Sequence, residues 1–239
     1  MNTTYAHTFD NYSAADVSPE ERASFIRKTY LHLAGAILAF IVLEAFLIFS
    51  GVGAVIAGAM FFAGGWSWLI VLAAFMGVSA LASWWANSQT SKPMQYLGLG
   101  LYTLAEAVIF LPLLFLANMK AGGGVILEAG IVALGLFLGI SSVVFLTRKD
   151  FSFLGPILAI GGFAALGFIV ASIMFGFSLG AIFAWIMVAF AGGAILYNTS
   201  NVLHHYRPGQ HVAASLTLFA SVALLFWYIL QIFMGSSDD

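Results

Sequence analysis

Three long stretches of this chain carry no formal charge: residues 45–91, 151–206 and 208–237. A membrane-crossing helix needs about 20 apolar residues at about 1.5 Å rise each, and every stretch is long enough to supply at least one. Of the 239 residues, 62% are hydrophobic and 8% are charged, where a soluble domain carries about 25% charged residues. The mean hydropathy of +1.02 agrees. A cytosolic enzyme, a disordered regulator and a nucleic-acid binder, which needs a basic face, are excluded. A polytopic all-α membrane bundle in a lipid bilayer is left. The chain has no cysteine, so disulfides, iron–sulfur clusters and thiolate zinc sites are excluded as well.

The gaps predict seven spans: 29–50, 66–86, 96–117, 124–146, 153–175, 179–203 and 212–234. Segment 51–65 is apolar and Gly-rich but too short to cross, and reads as a loop sunk into the outer leaflet or an extension of its neighbours. The cations decide the count. With seven spans, one side holds Arg22, Arg27, Lys28, Lys92, Arg148, Lys149 and Arg207, and the other holds only Lys120. An eighth span would divide them evenly. The positive-inside rule therefore predicts a cytoplasmic N-terminus and a C-terminus on the periplasmic or outer side. Trp66 and Trp68 at one end of the second span, and Trp84 and Trp85 at the other, suit interfacial anchors.

Residues 1–18 are predicted to be a flexible cytoplasmic tail and 19–236 the membrane domain. The tail is acidic and has no basic segment before the apolar run, so it does not read as a cleavable signal. Ser18-Pro19-Glu20-Glu21 reads as a capping box opening the first helix.

The spans contain no Asp, which excludes an aspartyl intramembrane protease, and no interior Lys, which excludes a retinal Schiff base. There is no HExxH zinc motif and no convincing serine nucleophile with a buried histidine base. No catalytic residue, metal site or cofactor is predicted, and the chain is not expected to be an enzyme. Glu106 is the informative acid, ten residues into the third span and about 15 Å deep. At that depth it must be neutral, paired or facing a wet cavity. It is either a proton or cation site, or a protonated side chain hydrogen-bonded to another helix. Glu44 and Glu128, nearer the outer ends of spans one and four, read as structural. Pro112 removes the helix hydrogen bond to the Val108 carbonyl. His204, His205 and His211 beside Arg207 read as a solvated basic loop, and His32 as an interfacial or packing histidine. Gly135 and Gly139 would allow a close helix approach within the bundle. Asn198 and Asn201 would hydrogen-bond a neighbouring helix.

Several segments together resemble the Bax inhibitor-1/YccA family. They are Arg27-Lys28-Thr29-Tyr30, Tyr102-Thr103-x-x-Glu106, the run Thr147-Arg148-Lys149-Asp150-Phe151-Ser152-Phe153-Leu154-Gly155, and Gly193-Ala194-Ile195-Leu196-Tyr197-Asn198-Thr199-Ser200-Asn201. The resemblance covers about residues 20 to 234 and is nearest to the bacterial YccA branch. It implies six helices around a central seventh, the cytoplasmic loop motif Arg148-Lys149-Asp150, and a bacterial inner-membrane location. It also implies one of two activities: modulation of the membrane AAA protease FtsH in quality control, or a pH-sensitive calcium or proton leak. Leak members carry a pair of Asp residues, and the corresponding positions here are Asn198 and Phe219. Two close carboxylates titrate as a coupled pair and can ligate Ca²⁺. Asn and Phe cannot do both, so the resemblance favours the protease modulator.

Overall fold

The computed structural model describes residues 13–62, 64–88 and 91–235. These residues form eight α-helices and no strand: α1 (Pro19–Phe49), α2 (Val52–Phe62), α3 (Gly64–Ala86), α4 (Lys92–Ala121), α5 (Gly124–Thr147), α6 (Leu154–Phe175), α7 (Gly180–His204) and α8 (His211–Gly235). All but α2 are long and apolar enough to cross a membrane. The expected seven spans are present. Segment 51–65 is neither loop nor extension: most of it is α2, a helix of 11 residues, set off by Gly51 and Gly64, both at positive φ.

α1 starts where the capping residues put it, with the Ser18 side chain accepting from the Glu21 N–H at 3.3 Å. The box closes differently from the usual pattern. Glu21 Oε2 meets the Ser18 hydroxyl at 3.4 Å. The tail also departs from expectation. Ala14 is fully buried and its N–H donates to the Tyr206 carbonyl at 2.7 Å. Arg22, one turn into α1, donates to the carbonyls of Ala14 and Ala15. Those donors take up backbone carbonyls that a free tail would give to water, so residues 13–17 are seated on the bundle. Residues 1–12 and 236–239 of the expected tail and C-terminus lie outside the described residues.

α8 is central. It packs against α1, α3, α4, α5 and α7, and 56% of its most apolar stretch is buried, against 6% for α6. α4, which packs against it, is equally buried at 56%. The Phe110 ring stacks on Phe226 and meets Trp227 edge-on at a 4.9 Å centroid distance. Outer faces are apolar too: Phe62 is 94% exposed, and Phe163 and Ile182 nearly as much. Lipid is the solvent for these side chains, so close packing and polar contacts must hold the helices together in place of the hydrophobic effect.

That packing is tightest between α3 and α4. A Cβ on Gly98 would lie 2.5 Å from the Ala82 carbonyl oxygen and 2.6 Å from the Ala86 nitrogen. Ala82 and Ala86 are fully buried beneath it. Gly135 and Gly139, the expected approach site, have nothing within 4 Å of an added Cβ. The α3–α4 contact, not α5, uses glycine to bring backbones together. α4 continues without interruption through Pro112.

Candidate functional site

The α6 backbone lies close to α3 and α7 and stands off from α8. The space left between α6 and α8 is a cavity of about 880 Å³. Its walls come from five helices and are mostly apolar. The polar groups include Glu106 on α4, Asn198 on α7, and Thr217, Ser221 and Gln231 on α8.

Glu106 is 6% exposed and borders this cavity. The polar side chain that acts on it is Tyr102. An interhelical partner was expected, but Tyr102 lies on the same helix one turn earlier, where i and i+4 side chains share a face. Tyr102 in turn meets the Phe219 ring edge-on at 6.0 Å. Glu44 on α1 is also buried, 5% exposed, and neither carboxyl oxygen has a hydrogen-bond partner.

Asn198 does reach a neighbouring helix. Its amide donates to Ser221 Oγ at 2.8 Å and, more weakly, to the Thr217 carbonyl at 3.4 Å. Ser221 Oγ donates onward to the Thr217 carbonyl at 3.0 Å. The residue opposite Asn198 on α8 is therefore Ser221. Phe219 is directed elsewhere, packing on Phe40 and Tyr102. Ser221 went unnoticed because both faces of α8 are apolar and periodicity does not mark the one that meets α7. The junction is neutral: an amide, a hydroxyl and a carbonyl. Asn201 acts through its backbone carbonyl, which accepts the N–H groups of His205 and Tyr206 at the end of α7.

The loop Arg148-Lys149-Asp150 joins α5 to α6. Arg148 caps α5 in the left-handed region, at φ 52. Asp150 Oδ1 accepts from the Ser152 N–H at 2.9 Å, and Oδ2 lies 3.1 Å from His205 Nε2. Ser200 Oγ donates to Asp150 at 3.3 Å and accepts from the Phe151 N–H at 2.8 Å. Asp150 thus clips the α5–α6 loop to the end of α7, so His205 is a loop anchor here. The Ser152 N–H, and after it the His205 ring, hold the Asp150 carboxyl down at about 2. A lowered carboxylate contributes stability that is present above its ordinary value of 3.8 and is lost as pH falls through about 2. Both partners are about half exposed, so the contribution is small. The melting-temperature gap between the wild type and Asp150→Asn should be measurable near neutral pH and narrow at about pH 2. An unchanged gap would place the stabilisation elsewhere.

The cation-bearing helix ends lie together. The middle of α1 meets the starts of α4 and α8 through His32, Tyr96 and His211, and the end of α7 meets residues 13–17 and the α5–α6 loop. Among the described residues no group of three or more His, Asp or Glu could hold a metal ion.

Seven membrane-length helices with a largely apolar cavity beside the central one define a polytopic α-helical membrane protein. A family model described as inhibitor of apoptosis-promoting Bax1 matches residues 22–239, and the chain belongs to that family, the Bax inhibitor-1 family. It is 32% identical to Protein LIFEGUARD 4 of Arabidopsis thaliana over 92% of this chain and 87% of that one. It is 28% identical to Bax inhibitor 1 of Schizosaccharomyces pombe over 91% of this chain and 79% of that one. Similarity to the modulator of FtsH protease YccA of Escherichia coli is 31% identity over 51% of this chain and 56% of that one.

Proposed function

We propose that this chain is a non-enzymatic modulator of a membrane AAA protease of the FtsH type, serving membrane-protein quality control in a bacterial inner membrane. The observation that carries this reading is the neutral junction of Asn198 with Ser221 and Thr217. An amide and a hydroxyl that satisfy each other leave no coupled carboxylate pair to sense protons or bind Ca²⁺ there. The likeness to a protein named as a modulator of FtsH supports the same reading. The N-terminus is cytoplasmic in this proposal, because the cation-rich helix ends gather at one end of the bundle. A reporter fused after Asp239 and active only in the cytoplasm would contradict that orientation.

Native membranes solubilised in mild detergent provide the test. The chain is expected to co-purify with an FtsH-type protease and to slow its degradation of a membrane substrate. Absence of association, with degradation unchanged, overturns the proposal. One observation favours a second reading, a cation leak: Glu106 borders a cavity that reaches down to Asn198. In that case proteoliposomes containing the chain alone would pass calcium or protons, and Glu106→Gln would abolish the flux.

A further inference from the structure

A second groove, of about 420 Å³, lies between α1 and α4. Its bed is made of small residues, Gly35, Ala36, Ala39 and Gly100, with Leu43 and Leu99 beside them. A Cβ added at Gly35 or Gly100 would meet nothing within 4 Å. The groove is therefore an unfilled apolar channel along the lipid-facing side of the bundle.

One end of the groove is polar and basic. His32 and Tyr96 line it. His32 Nδ1 lies 2.7 Å from the Lys28 carbonyl, which can only accept, so Nδ1 carries a proton. Nε2 lies 3.2 Å from the Tyr96 hydroxyl. The His211 ring is 4.9 Å from His32, and Lys28, His32 and Lys92 are all close enough to act electrostatically on His211. Lys28 and Lys92 are exposed. Among the described residues no carboxylate lies within salt-bridge distance of either lysine. The middle of α1 and the starts of α4 and α8 thus bring cationic or protonatable groups together, with neither lysine paired to a carboxylate, at the mouth of an apolar channel.

We propose that this site binds an anionic phospholipid: one acyl chain lies in the α1–α4 groove, and the phosphate sits between Lys28, His32 and Lys92. The match is one of shape and charge. A phospholipid joins an apolar chain to an anion, and basic sites between transmembrane helices at a cation-rich membrane face select such headgroups. A zwitterionic lipid offers the same chain without the net charge.

The test uses the purified full chain in mild detergent, with lipid binding followed by native mass spectrometry and by thermal melting. Phosphatidylglycerol and phosphatidylcholine with the same acyl chains are compared, and glycerol phosphate serves as the headgroup without chains. Phosphatidylglycerol is expected to bind about tenfold or more tightly than phosphatidylcholine and to raise the melting temperature. Lys28→Gln with Lys92→Gln should erase that preference, and Gly100→Leu should weaken binding of both lipids by filling the groove. Exposed lysines tolerate replacement, so the charge variant remains informative even if Gly100→Leu fails to fold. Equal binding of the two lipids, a preference that survives the double lysine variant, or binding by glycerol phosphate alone would each overturn the proposal.

Discussion

Gly98→Ala should cost about 3 kcal/mol or prevent accumulation of the folded protein, whereas Gly100→Ala, two residues away, should be neutral or slightly stabilising. Alanine gains up to about 1 kcal/mol over glycine inside a helix, at either position. Nothing opposes that gain at Gly100, where an added Cβ meets open space. At Gly98 the same methyl would lie 2.5 Å from the Ala82 carbonyl oxygen and 2.6 Å from the Ala86 nitrogen. Both are backbone atoms, so no rotamer change relieves the contact and α3 must move away from α4. Overpacking of this kind costs about 1–3 kcal/mol in water-soluble cores. Here it falls on helices whose association depends on close approach. Thermal melting of the two variants in one detergent provides the comparison, and equal midpoints would mean that the α3–α4 contact is soft.

The spans were legible because lipid demands length and apolarity, and the charge-free gaps record both. Which face of each span is buried was far less legible. A helix in lipid is apolar all round, so hydropathy does not distinguish the buried Leu218 from the exposed Ile182. The resemblance matched Phe219 to the second position of the family's acidic pair, whereas the α8 side chain that meets Asn198 is Ser221. The same blindness drew attention to Gly135 and Gly139, whose spacing suits a close approach but which face open space. A better signal was present in Ala82 and Ala86, small residues four apart on the facing helix, with Gly98 on α4 to meet them. Tyr102 was likewise readable as the partner of Glu106 from its spacing of four. The seating of residues 13–17 was not, because it depends on Tyr206, nearly two hundred residues away, and on Arg22 turning back to the chain that precedes it.

Glu106→Leu is expected to destabilise the protein by about 1–3 kcal/mol, and Glu106→Gln by much less. The carboxyl is buried, and Tyr102 is the polar side chain acting on it; Tyr102 is itself buried against Phe219 and Phe75. Leucine removes the carboxyl and leaves the phenol hydroxyl in a mostly apolar wall. Glutamine keeps a carbonyl oxygen at similar reach. If the interaction with Tyr102 accounts for the loss, Tyr102→Phe in the Glu106→Leu background should add little, since the two side chains would act as one unit. Full additivity of the two substitutions would mean that Glu106 is held by something other than Tyr102. The glutamine variant then separates structure from function. Under the protease-modulator proposal it folds and still slows substrate degradation, because no step requires the proton of Glu106. Under the leak reading it folds and stops conducting, because an amide cannot exchange a proton or offer a charged oxygen to a cation crossing the cavity.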